Sequence, residues 1–369
     1  MGSFSFILYD SKVLWYAISG YECIVIISRD CKNRFRNNME ELKMEKIKWG
    51  VLGTAGIAKG CTIPGMQLAE NCELYAIAGR SKEKAEQFKD EFGFEVAYDN
   101  YEALLADDNV KAVYIPLPNE LHCEWVLKAI DAGKNVLCEK PLAPTKEQAE
   151  ELFKAAEAKG VILMEAFAYL HTPYIKALKE EVDAGTIGDI KYIETAFITS
   201  DYDISNIRMR RETYGGSLYD LGCYCTSMIT WLLGKEPETV MAFAEFSEEK
   251  IDKFASAMLK YEGDVRAAFS SGMILETNKD RRHDRLYING TKGYIKSDVE
   301  YNQAGELSYR VCVDGIETVK TVSVAQNYSL EVAQLGRCIT DGEKPHVSKE
   351  FTLMNASVLG RVLDAAGYV

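Results

Sequence analysis

The sequence lacks the closely spaced cysteine pairs that form zinc sites and disulfide frameworks. Its ten cysteines include no C-x-x-C, and only Cys223 and Cys225 come close together. A chain of 369 residues with so few clustered cysteines is typical of a reduced, cytoplasmic protein. We therefore predict a cytoplasmic protein without a metal site.

Long hydrophobic runs are missing as well. The most apolar stretch near the N-terminus, residues 13–27, contains Gly20 and Glu22. It is shorter than the ~20 apolar residues that span a bilayer. A secretion signal needs a basic start, whereas here Asp10 precedes the first lysine. The sequence therefore predicts neither a membrane anchor nor a signal peptide.

Residues 1–45 form an N-terminal extension that we assign to neither predicted domain. Met39 and Met44 lie just before the first convincing strand. We expect one of them to be the natural start of the protein. A peptide from residues 13–28 in the native protein would contradict this expectation.

Basic residues are too few for a polyanionic partner. The chain has 43 Lys and Arg against 56 Asp and Glu, which gives a net charge of −13 at pH 7. Nucleic acids and anionic membranes bind proteins through basic surfaces, so we predict neither as a partner. A local basic pocket remains compatible with this balance.

The length suggests about two domains, at roughly 100 to 200 residues each.

Apolar runs alternate with helical patterns from residue 46 to residue 165. The predicted strands are 47–52, 74–79, 96–98, 112–115, 136–138 and 161–164, and the predicted helices are 57–69, 82–92, 121–132 and 146–159. Such alternation predicts right-handed crossovers and a parallel, doubly wound sheet. Beyond residue 185 the pattern changes to successive strand-like runs, with one helical stretch at 216–233.

The first predicted strand leads directly into a glycine-rich turn, Gly53-Thr54-Ala55-Gly56-Ile57-Ala58. This is a variant of G-x-G-x-x-G/A, which holds a dinucleotide pyrophosphate at a helix N-terminus. Gly53 permits the tight turn, and Ala58 permits close helix packing. Alone, the motif also fits an ordinary glycine-rich turn. Its place after the first strand favours a dinucleotide site.

The end of the second strand indicates which dinucleotide binds. An NAD site needs an acidic residue there, but Glu73 lies at the start of that strand. The strand instead ends in Arg80, Ser81 and Lys84. Arginine and serine can hold a ribose 2′-phosphate, so NADP is favoured over NAD. A solvated helix start is the alternative reading of these residues.

Polar groups follow three consecutive strands, at the sheet edge where ligands of parallel sheets bind. The candidates are Pro116, Leu117, Asn119 and His122 after the fourth strand, Glu139 and Lys140 after the fifth, and Glu165 after the sixth. We expect these groups to converge where a nicotinamide would lie.

The motifs of this chain, taken in order, resemble those of the Gfo/Idh/MocA oxidoreductases. They are Gly53-x-Ala55-x-x-Ala58, Pro118-Asn119-x-x-His122, Glu139-Lys140-Pro141, Met164-Glu165-Ala166-Phe167 and the run GGSLYDLGCY at residues 215–224. The family includes glucose-fructose oxidoreductase and inositol, dihydrodiol and xylose dehydrogenases. The resemblance covers about residues 46 to 369 and implies an α/β fold. It predicts a Rossmann domain at 46–165 and a C-terminal α/β domain at 166–369 with a large, mostly antiparallel open sheet.

The resemblance also implies roles for three residues. It assigns Lys140 and Tyr224 to proton transfer at the substrate hydroxyl and Asp220 to orienting the substrate. Asp220 and Tyr224 are four apart in a predicted helix and share one face. A lysine of lowered pKa, or a tyrosine phenolate beside an ammonium, can serve as the acid or base. Without the resemblance, the apolar neighbours of Tyr224 favour a core tyrosine over a catalytic one.

Several side chains keep two interpretations. His122 contacts the nicotinamide ribose with Asn119 or only caps a turn, and Glu165 touches the cofactor or holds the strand end. His171 fits a pocket or a core. Leu170 departs from the family, in which many members carry arginine. For the clusters Arg208, Arg210, Arg211 and Arg281, Arg282, His283, solvated loops are favoured over a substrate mouth.

The sequence thus predicts an NADP-dependent oxidoreductase acting on a secondary alcohol of a sugar, inositol or related diol, with NAD as an alternative cofactor. The alternative function is a non-catalytic NAD(P)-binding regulator of the same fold. An open sheet with one uncovered face also predicts a homodimer or homotetramer. The sequence does not name the substrate.

Overall fold

The computed structural model describes residues 7–9, 13–18, 21–26, 46–200, 203–275, 282–298, 301 and 304–368. The chain divides into two compact units, Met1–Glu45 and Lys46–Val369. In the first unit, β1 (Ile7–Tyr9), β2 (Val13–Ile18) and β3 (Tyr21–Ile26) form an antiparallel sheet. Met39 and Met44, where we expect the natural start, lie outside the described residues.

The second unit begins with a six-stranded parallel sheet in the order β6-β5-β4-β7-β8-β9. Its strands are β4 (Ile47–Leu52), β5 (Cys72–Ala78), β6 (Val96–Tyr98), β7 (Ala112–Ile115), β8 (Asn135–Glu139) and β9 (Leu163–Ala166). Its helices are α1 (Ile63–Leu68), α2 (Lys82–Phe92), α3 (Tyr101–Leu105), α4 (Asn119–Asp131) and α5 (Lys146–Lys159). The strand order reverses between β4 and β7, which creates a crevice at their carboxyl ends.

The sequence predicted this sheet because strands covered on both faces form continuous apolar runs, as the four buried residues of β7 show. Strand β9 begins two residues later than the predicted 161–164. The reason is the end of α5, where Gly160 is left-handed and the Val161 N–H donates to the Ala156 carbonyl. Glu165 therefore lies within the strand.

The second sheet has eight strands in the order β11-β12-β13-β10-β14-β15-β16-β17. They are β10 (Ile190–Ser200), β11 (Thr239–Phe246), β12 (Asp252–Tyr261), β13 (Val265–Leu275), β14 (His283–Gly290), β15 (Gly293–Ser297), β16 (Gly305–Val313) and β17 (Ile316–Val324). Among these pairs only β10 and β13 run parallel in the described residues, so the sheet is mostly antiparallel. The predicted fold class is confirmed.

Four helices accompany this sheet: α6 (Pro173–Asp183), α7 (Cys223–Leu233), α8 (Asn327–Asp341) and α9 (Lys349–Ala366). Helix α7 is buried along most of its length and packs on β10 and β13. Helix α8 packs back on α1, so both sheets belong to one compact unit. The domain boundary near residue 165 stays a prediction.

Strands β11 and β12 leave an apolar surface uncovered. Met241 and Met258 lie directly opposite each other in the register, and Phe243 follows on the same face. Their exposed fractions are 67%, 60% and 66%.

None of the described helices has the length and apolar composition that crossing a membrane requires.

Candidate active site

The helical segment that carries Asp220 and Tyr224 is anchored at its start by a buried carboxylate. It begins as a π-helical turn, Leu218–Gly222, and continues as α7. Asp252 of β12 accepts hydrogen bonds from the Ser217 hydroxyl at 2.8 Å and the Leu218 N–H at 2.7 Å. A side chain at position 216 would collide with this carboxylate, since a Cβ there would lie 2.0 Å from Asp252 Oδ1. Glycine at 216 and a carboxylate at 252 thus fix where the segment begins.

Lys140 meets this segment from the end of strand β8. Its Nζ donates to the Asp220 carbonyl at 2.8 Å and lies 3.2 Å from Asp220 Oδ1. The same ammonium stands 4.6 Å from the centroid of the Tyr224 ring. The structure therefore brings together the three residues that we predicted to be catalytic.

Asp220 is held between two cations. Its Oδ2 accepts from Arg208 Nε at 2.7 Å, on the side opposite the lysine contact. Burial opposes the charged carboxylate, but the positive charges of Arg208 and Lys140 outweigh burial and lower the pKa of Asp220 to about 2. Asp220 is therefore a carboxylate at neutral pH. Arg208 belongs to the site, contrary to the solvated loop that the sequence favoured.

The charge state of Lys140 selects between the two roles left open above. Burial alone would lower the pKa of Lys140, but the negative charge that Tyr224 can carry and that of Asp220 raise it above its ordinary value. The lysine therefore stays an ammonium. An ammonium 4.6 Å from the centroid of the Tyr224 ring can stabilise a phenolate there.

These residues line a cavity of about 610 Å³. Residues that we predicted for the site and that line the cavity are Ala55, Gly56, Ile57, Pro116, Leu117, Asn119, Glu139, Lys140, Asp220 and Tyr224. Lining residues for which sequence reasoning gave no site role are Phe197, Thr199, Ser205, Asn206, Ile207, Thr213, Tyr214, Gly215, Leu221 and Tyr328, while Arg208 and Arg282 were predicted to be solvated. The missed residues come mainly from loops and from β10, where no sequence signal marked them.

The glycine-rich turn at one end of the cavity fits a dinucleotide pyrophosphate. Gly53 adopts a φ of +128°, and a Cβ there would lie 3.1 Å from a methyl of Leu117. Gly56 is exposed, and nothing stands within 4 Å of where its Cβ would be. Ala58 is fully buried and starts the helix that leads into α1. The first N–H groups of a helix have no partners within it, so they are available to a phosphate.

The end of β5 offers a basic group next to this turn. Arg80 and Lys84 are exposed, and Thr54 packs beside Gly79. The Ser81 hydroxyl caps α2 by accepting from the Lys84 N–H at 3.4 Å and donates to Glu83 at 2.7 Å. Ser81 is thus engaged in capping the helix, and Arg80 and Lys84 are the exposed cations of this group.

Glu73, the acidic residue that would have signalled NAD, lies at the other end of β5. It forms an ion pair with Lys48 at 3.5 Å. It therefore cannot accept from a ribose hydroxyl beside the turn.

Two predicted cofactor contacts lie behind the cavity wall. The His122 ring is fully buried, with Nδ1 2.8 Å from the Pro141 carbonyl and Nε2 2.8 Å from the Leu117 carbonyl. Glu165 Oε1 accepts from the Leu142 N–H at 2.9 Å, and burial raises the pKa of Glu165 to about 7. Both residues hydrogen-bond to the loops behind the lining of the cavity, as the second interpretation of each allowed, and direct contact with the cofactor stays a prediction.

The structure also shows the contacts of Asn119 and His171. The Asn119 amide donates to the Tyr214 carbonyl at 3.0 Å and joins the end of β7 to the loop before residue 218. His171 packs against His346, with 5.1 Å between ring centroids, and does not line the cavity. No group of three or more His, Cys, Asp or Glu within the described ranges is arranged to hold a metal ion.

Comparison with known proteins gives matches to two family models. The model described as "Oxidoreductase family, NAD-binding Rossmann fold" matches residues 47–167, and "GFO/IDH/MocA C-terminal domain" matches residues 175–296. D-xylose 1-dehydrogenase (NADP(+)) 2 from Haloferax volcanii is 34% identical over 324 residues, which is 86% of this chain and 97% of that protein. Trans-1,2-dihydrobenzene-1,2-diol dehydrogenase from Xenopus laevis is 31% identical over 333 residues, covering 87% of this chain and 98% of the relative.

Solved structures agree with this match. A 3-ketoreductase from Actinomadura kijaniata, crystallised with NADP and TDP-benzene, superposes with a TM-score of 0.80 at 29% identity, covering 87% of this chain and 98% of its own. The alternative of a non-catalytic regulator has no support among these relatives, which are named dehydrogenases and a reductase. The two family models together match most of the chain. We conclude that the chain belongs to the Gfo/Idh/MocA family and is an NAD(P)-dependent oxidoreductase.

Proposed function

We propose that this enzyme transfers a hydride between NADP and a secondary alcohol, or the corresponding carbonyl, of a sugar, inositol or related diol. The observation that carries the proposal is the Lys140 ammonium, which contacts both Asp220 and the face of Tyr224 in one cavity. A hydride leaves a carbinol carbon as its hydroxyl proton is removed, so a positioned acid or base is required. The nicotinamide supplies or accepts the hydride when bound.

In this proposal Tyr224 exchanges the proton with the substrate oxygen. In the direction of oxidation its phenolate takes the hydroxyl proton, and in reduction the phenol returns it. Lys140 stabilises the phenolate because an ammonium in a poorly solvated cavity interacts strongly with a nearby negative charge. Asp220 orients the lysine and a substrate hydroxyl, while Arg208 fixes the carboxylate.

Four observations support NADP as the cofactor. Arg80 is exposed beside the glycine-rich turn, and Glu73 lies at the wrong end of its strand. The Haloferax relative is named for NADP(+), and the Actinomadura structure was solved with NADP. In our proposal residues 46–165 bind the cofactor and residues 166–369 provide the substrate side of the cavity.

The uncovered face of β11 and β12 supports a further part of the proposal, that the enzyme is a homodimer or homotetramer. Met241, Phe243 and Met258 form a contiguous apolar patch there, and such patches commonly mark contacts between subunits. A cytoplasmic location also stays our proposal and rests on the cysteine pattern of the sequence.

Turnover measurements test the proposed function. Purified enzyme with NADP or NADPH is assayed against pentoses, hexoses, inositols, cyclic diols and the matching ketones. We expect turnover of at least one group, and a loss of about 10²- to 10⁴-fold in kcat for Lys140→Ala and Tyr224→Phe. Lys154→Ala is the control, since that side chain is 70% exposed and lies outside the cavity lining. Full turnover by Lys140→Ala would refute the assignment.

A further inference from the structure

The backbone directly after Lys140 is contacted by two buried side chains. The Leu142 N–H donates to Glu165 Oε1 at 2.9 Å, and His122 Nδ1 lies 2.8 Å from the Pro141 carbonyl. Glu165 is 3% exposed, and His122 is fully buried. The turn that begins at Lys140 is therefore held at two successive residues from the interior of the protein.

Glu165 reaches this turn from the neighbouring strand. It lies in β9 opposite Cys138 of β8, and β8 ends at Glu139, one residue before Lys140. An apolar side chain would be less costly at this position, because a buried carboxyl group loses its hydration. The bond from the Leu142 N–H offsets part of that cost. The acid thus connects the sheet to the turn that carries Lys140.

The ammonium of Lys140 depends on an accurately placed backbone, because a lysine side chain is a long, flexible stem. Its Nζ donates to the Asp220 carbonyl at 2.8 Å and stands 4.6 Å from the centroid of the Tyr224 ring. A displacement of about 1 Å in a reacting group can lower the rate about 100-fold. A contact that fixes the turn can therefore control the chemistry at Tyr224.

From these contacts we propose that Glu165 is a positioning residue for Lys140 and acts through the Leu142 N–H. The inference rests on the proposed function and adds to it a residue that, in the described hydrogen bonds, contacts neither Asp220 nor Tyr224. Hydrogen bonds to an ionised acceptor are about twice as strong as neutral ones. Ionised Glu165 should therefore hold the turn more firmly than the protonated acid.

The strength of this contact changes with pH. Burial raises the pKa of Glu165 to about 7. The charge of Lys140 lowers this pKa, and the charge of Glu139 raises it. The titratable, charged or polar side chains that face Glu165 are Lys140, Glu139, Cys138, Cys223 and Thr352. As the pH rises through about 7 the acid loses its proton, so the bond from Leu142 strengthens and kcat should rise.

Glu165→Gln tests this dependence, because the amide oxygen can still accept from Leu142 but does not ionise. We would measure kcat of the variant and of the original enzyme between pH 6 and pH 8.5. Their ratio should lie within about twofold of one at pH 6 and fall to between about one third and one tenth at pH 8.5. Tyr224 titrates in both enzymes, so the ratio isolates Glu165. Glu165→Ala removes the acceptor and should lower kcat about 10- to 100-fold.

A merely structural acid would give a different pattern. Above pH 7 the folded chain carries the cost of a buried, ionised carboxyl, so Glu165→Gln should keep or raise the thermal midpoint while kcat falls. The dissociation constant of NADP should stay within about threefold. Glu150→Gln is the matched control, because Glu150 is 37% exposed and pairs with Lys154 on the same helix. A kcat ratio that does not vary with pH, or a loss of kcat that follows a loss of thermal stability, would overturn the inference.

The Leu142 amide gives a readout that needs no turnover. In protein labelled with ¹⁵N-leucine, we expect its amide proton resonance to move to lower field as the pH rises through about 7, and to stay in place in Glu165→Gln. A stationary resonance in the original protein would overturn the inference and leave the oxidoreductase assignment intact. Absence of turnover together with a moving resonance would refute the proposed function and support the contact between Glu165 and the turn.

Discussion

Asp220 shows, at the scale of single residues, how two cations can share one buried carboxylate. Lys140 contacts Oδ1 and Arg208 contacts Oδ2, so both oxygens are occupied and the side chain cannot rotate freely. An ion pair this poorly solvated is stable only when its geometry is good and its remaining polar groups are bonded. The additional bond from Lys140 to the Asp220 carbonyl meets that requirement. The arrangement keeps the ammonium beside Tyr224 without a bound substrate.

Arg80 is the residue on which the choice of NADP over NAD depends. We expect Arg80→Ala to weaken NADP binding by about 10- to 100-fold, the value of one or two charge-assisted hydrogen bonds, and to leave NAD binding nearly unchanged. Equilibrium titration of both cofactors, monitored by protein fluorescence, measures the two constants. Arg266→Ala serves as control because it removes an exposed arginine far along the chain. Unchanged NADP affinity in Arg80→Ala would exclude the role of this guanidinium.

At the scale of elements, the positions of Asp220 and Tyr224 depend on where the segment at residues 218–233 begins. Asp252 accepts two hydrogen bonds there, although it belongs to β12 and lies 34 positions from Leu218. The same carboxylate sits against Gly216, where no side chain fits. A change at Asp252 therefore moves both Asp220 and Tyr224 together.

Asp252→Ala is expected to lower both stability and activity. Removing the acceptor leaves the buried Leu218 N–H unpaired and takes from the Ser217 hydroxyl its shortest hydrogen bond, so only the longer contacts to Ser271 remain, which costs about 2 kcal/mol of unfolding free energy. Asp252→Asn keeps one acceptor oxygen and should lose less than half as much. Urea unfolding and kcat, measured on the same preparations, test the prediction. If Asp252→Ala kept both values of the original enzyme, the anchor would not control the segment.

Helix α8 carries a buried acid that is well separated from solvent. Glu331 is fully buried, and neither carboxyl oxygen has a hydrogen-bond partner in the part of the chain that the structure describes. Burial, and then the negative charge of Glu139, raise the pKa of Glu331 well above its ordinary value. The folded protein therefore holds this carboxyl protonated at pH values where the unfolded chain has lost the proton.

The sign of the resulting pH dependence follows from proton binding. Between the unfolded pKa and the raised folded pKa the folded state binds one more proton, so this contribution to stability falls as the pH rises. Glu331→Gln imitates the protonated acid and removes the dependence. We expect the variant to gain stability relative to the original protein by about 1.4 kcal/mol for each pH unit from pH 5 upward.

Urea unfolding between pH 5 and pH 8 measures this difference. Glu350→Gln is the control, since Glu350 is exposed and its pKa is lowered. Parallel stability curves for Glu331→Gln and the original chain would contradict the prediction.

On the scale of the whole molecule, the uncovered sheet face predicts self-association. We expect Met241→Lys combined with Met258→Lys to shift the enzyme to a monomer, because two facing charges cannot be buried in an apolar contact. Light scattering at micromolar concentration measures the mass. Leu68→Lys is the control, an exposed hydrophobic residue on α1 that should leave the mass unchanged. A monomeric original protein would contradict self-association through this face.

Much of the fold could be predicted because buried strands and helices place their apolar residues at regular intervals along the chain. Residues 49–52 of β4, all of β7 and residues 136–138 of β8 are continuous apolar runs since both faces of these strands are covered. The five residues of β15 escaped prediction because only two of them are buried, too few to form a recognisable alternation. Helices α6, α8 and α9 also lay outside the predicted elements.

The site was predictable only in part. Lys140 and Asp220 stand in short motifs that resemble those of the family, and the resemblance implied the roles that we propose for them. Arg208 and Arg282 lie in polar stretches that resemble any solvated loop. Their position in the cavity depends on contacts with Asp220 and Phe197, and sequence spacing does not encode those contacts.

The sequence by itself determined the family and the two-sheet architecture, and through the family resemblance it named the residues that we propose for proton transfer. These features depend on local order: apolar periodicity, a glycine-rich turn after a strand, and motifs of a few residues. Only the tertiary structure decided that Lys140 meets Asp220 across 80 positions, that His122 and Glu165 lie behind the wall, and that two arginines enter the cavity. The physical reason is that side-chain partners are chosen by packing of distant segments, and distance along the chain carries no measure of distance in space.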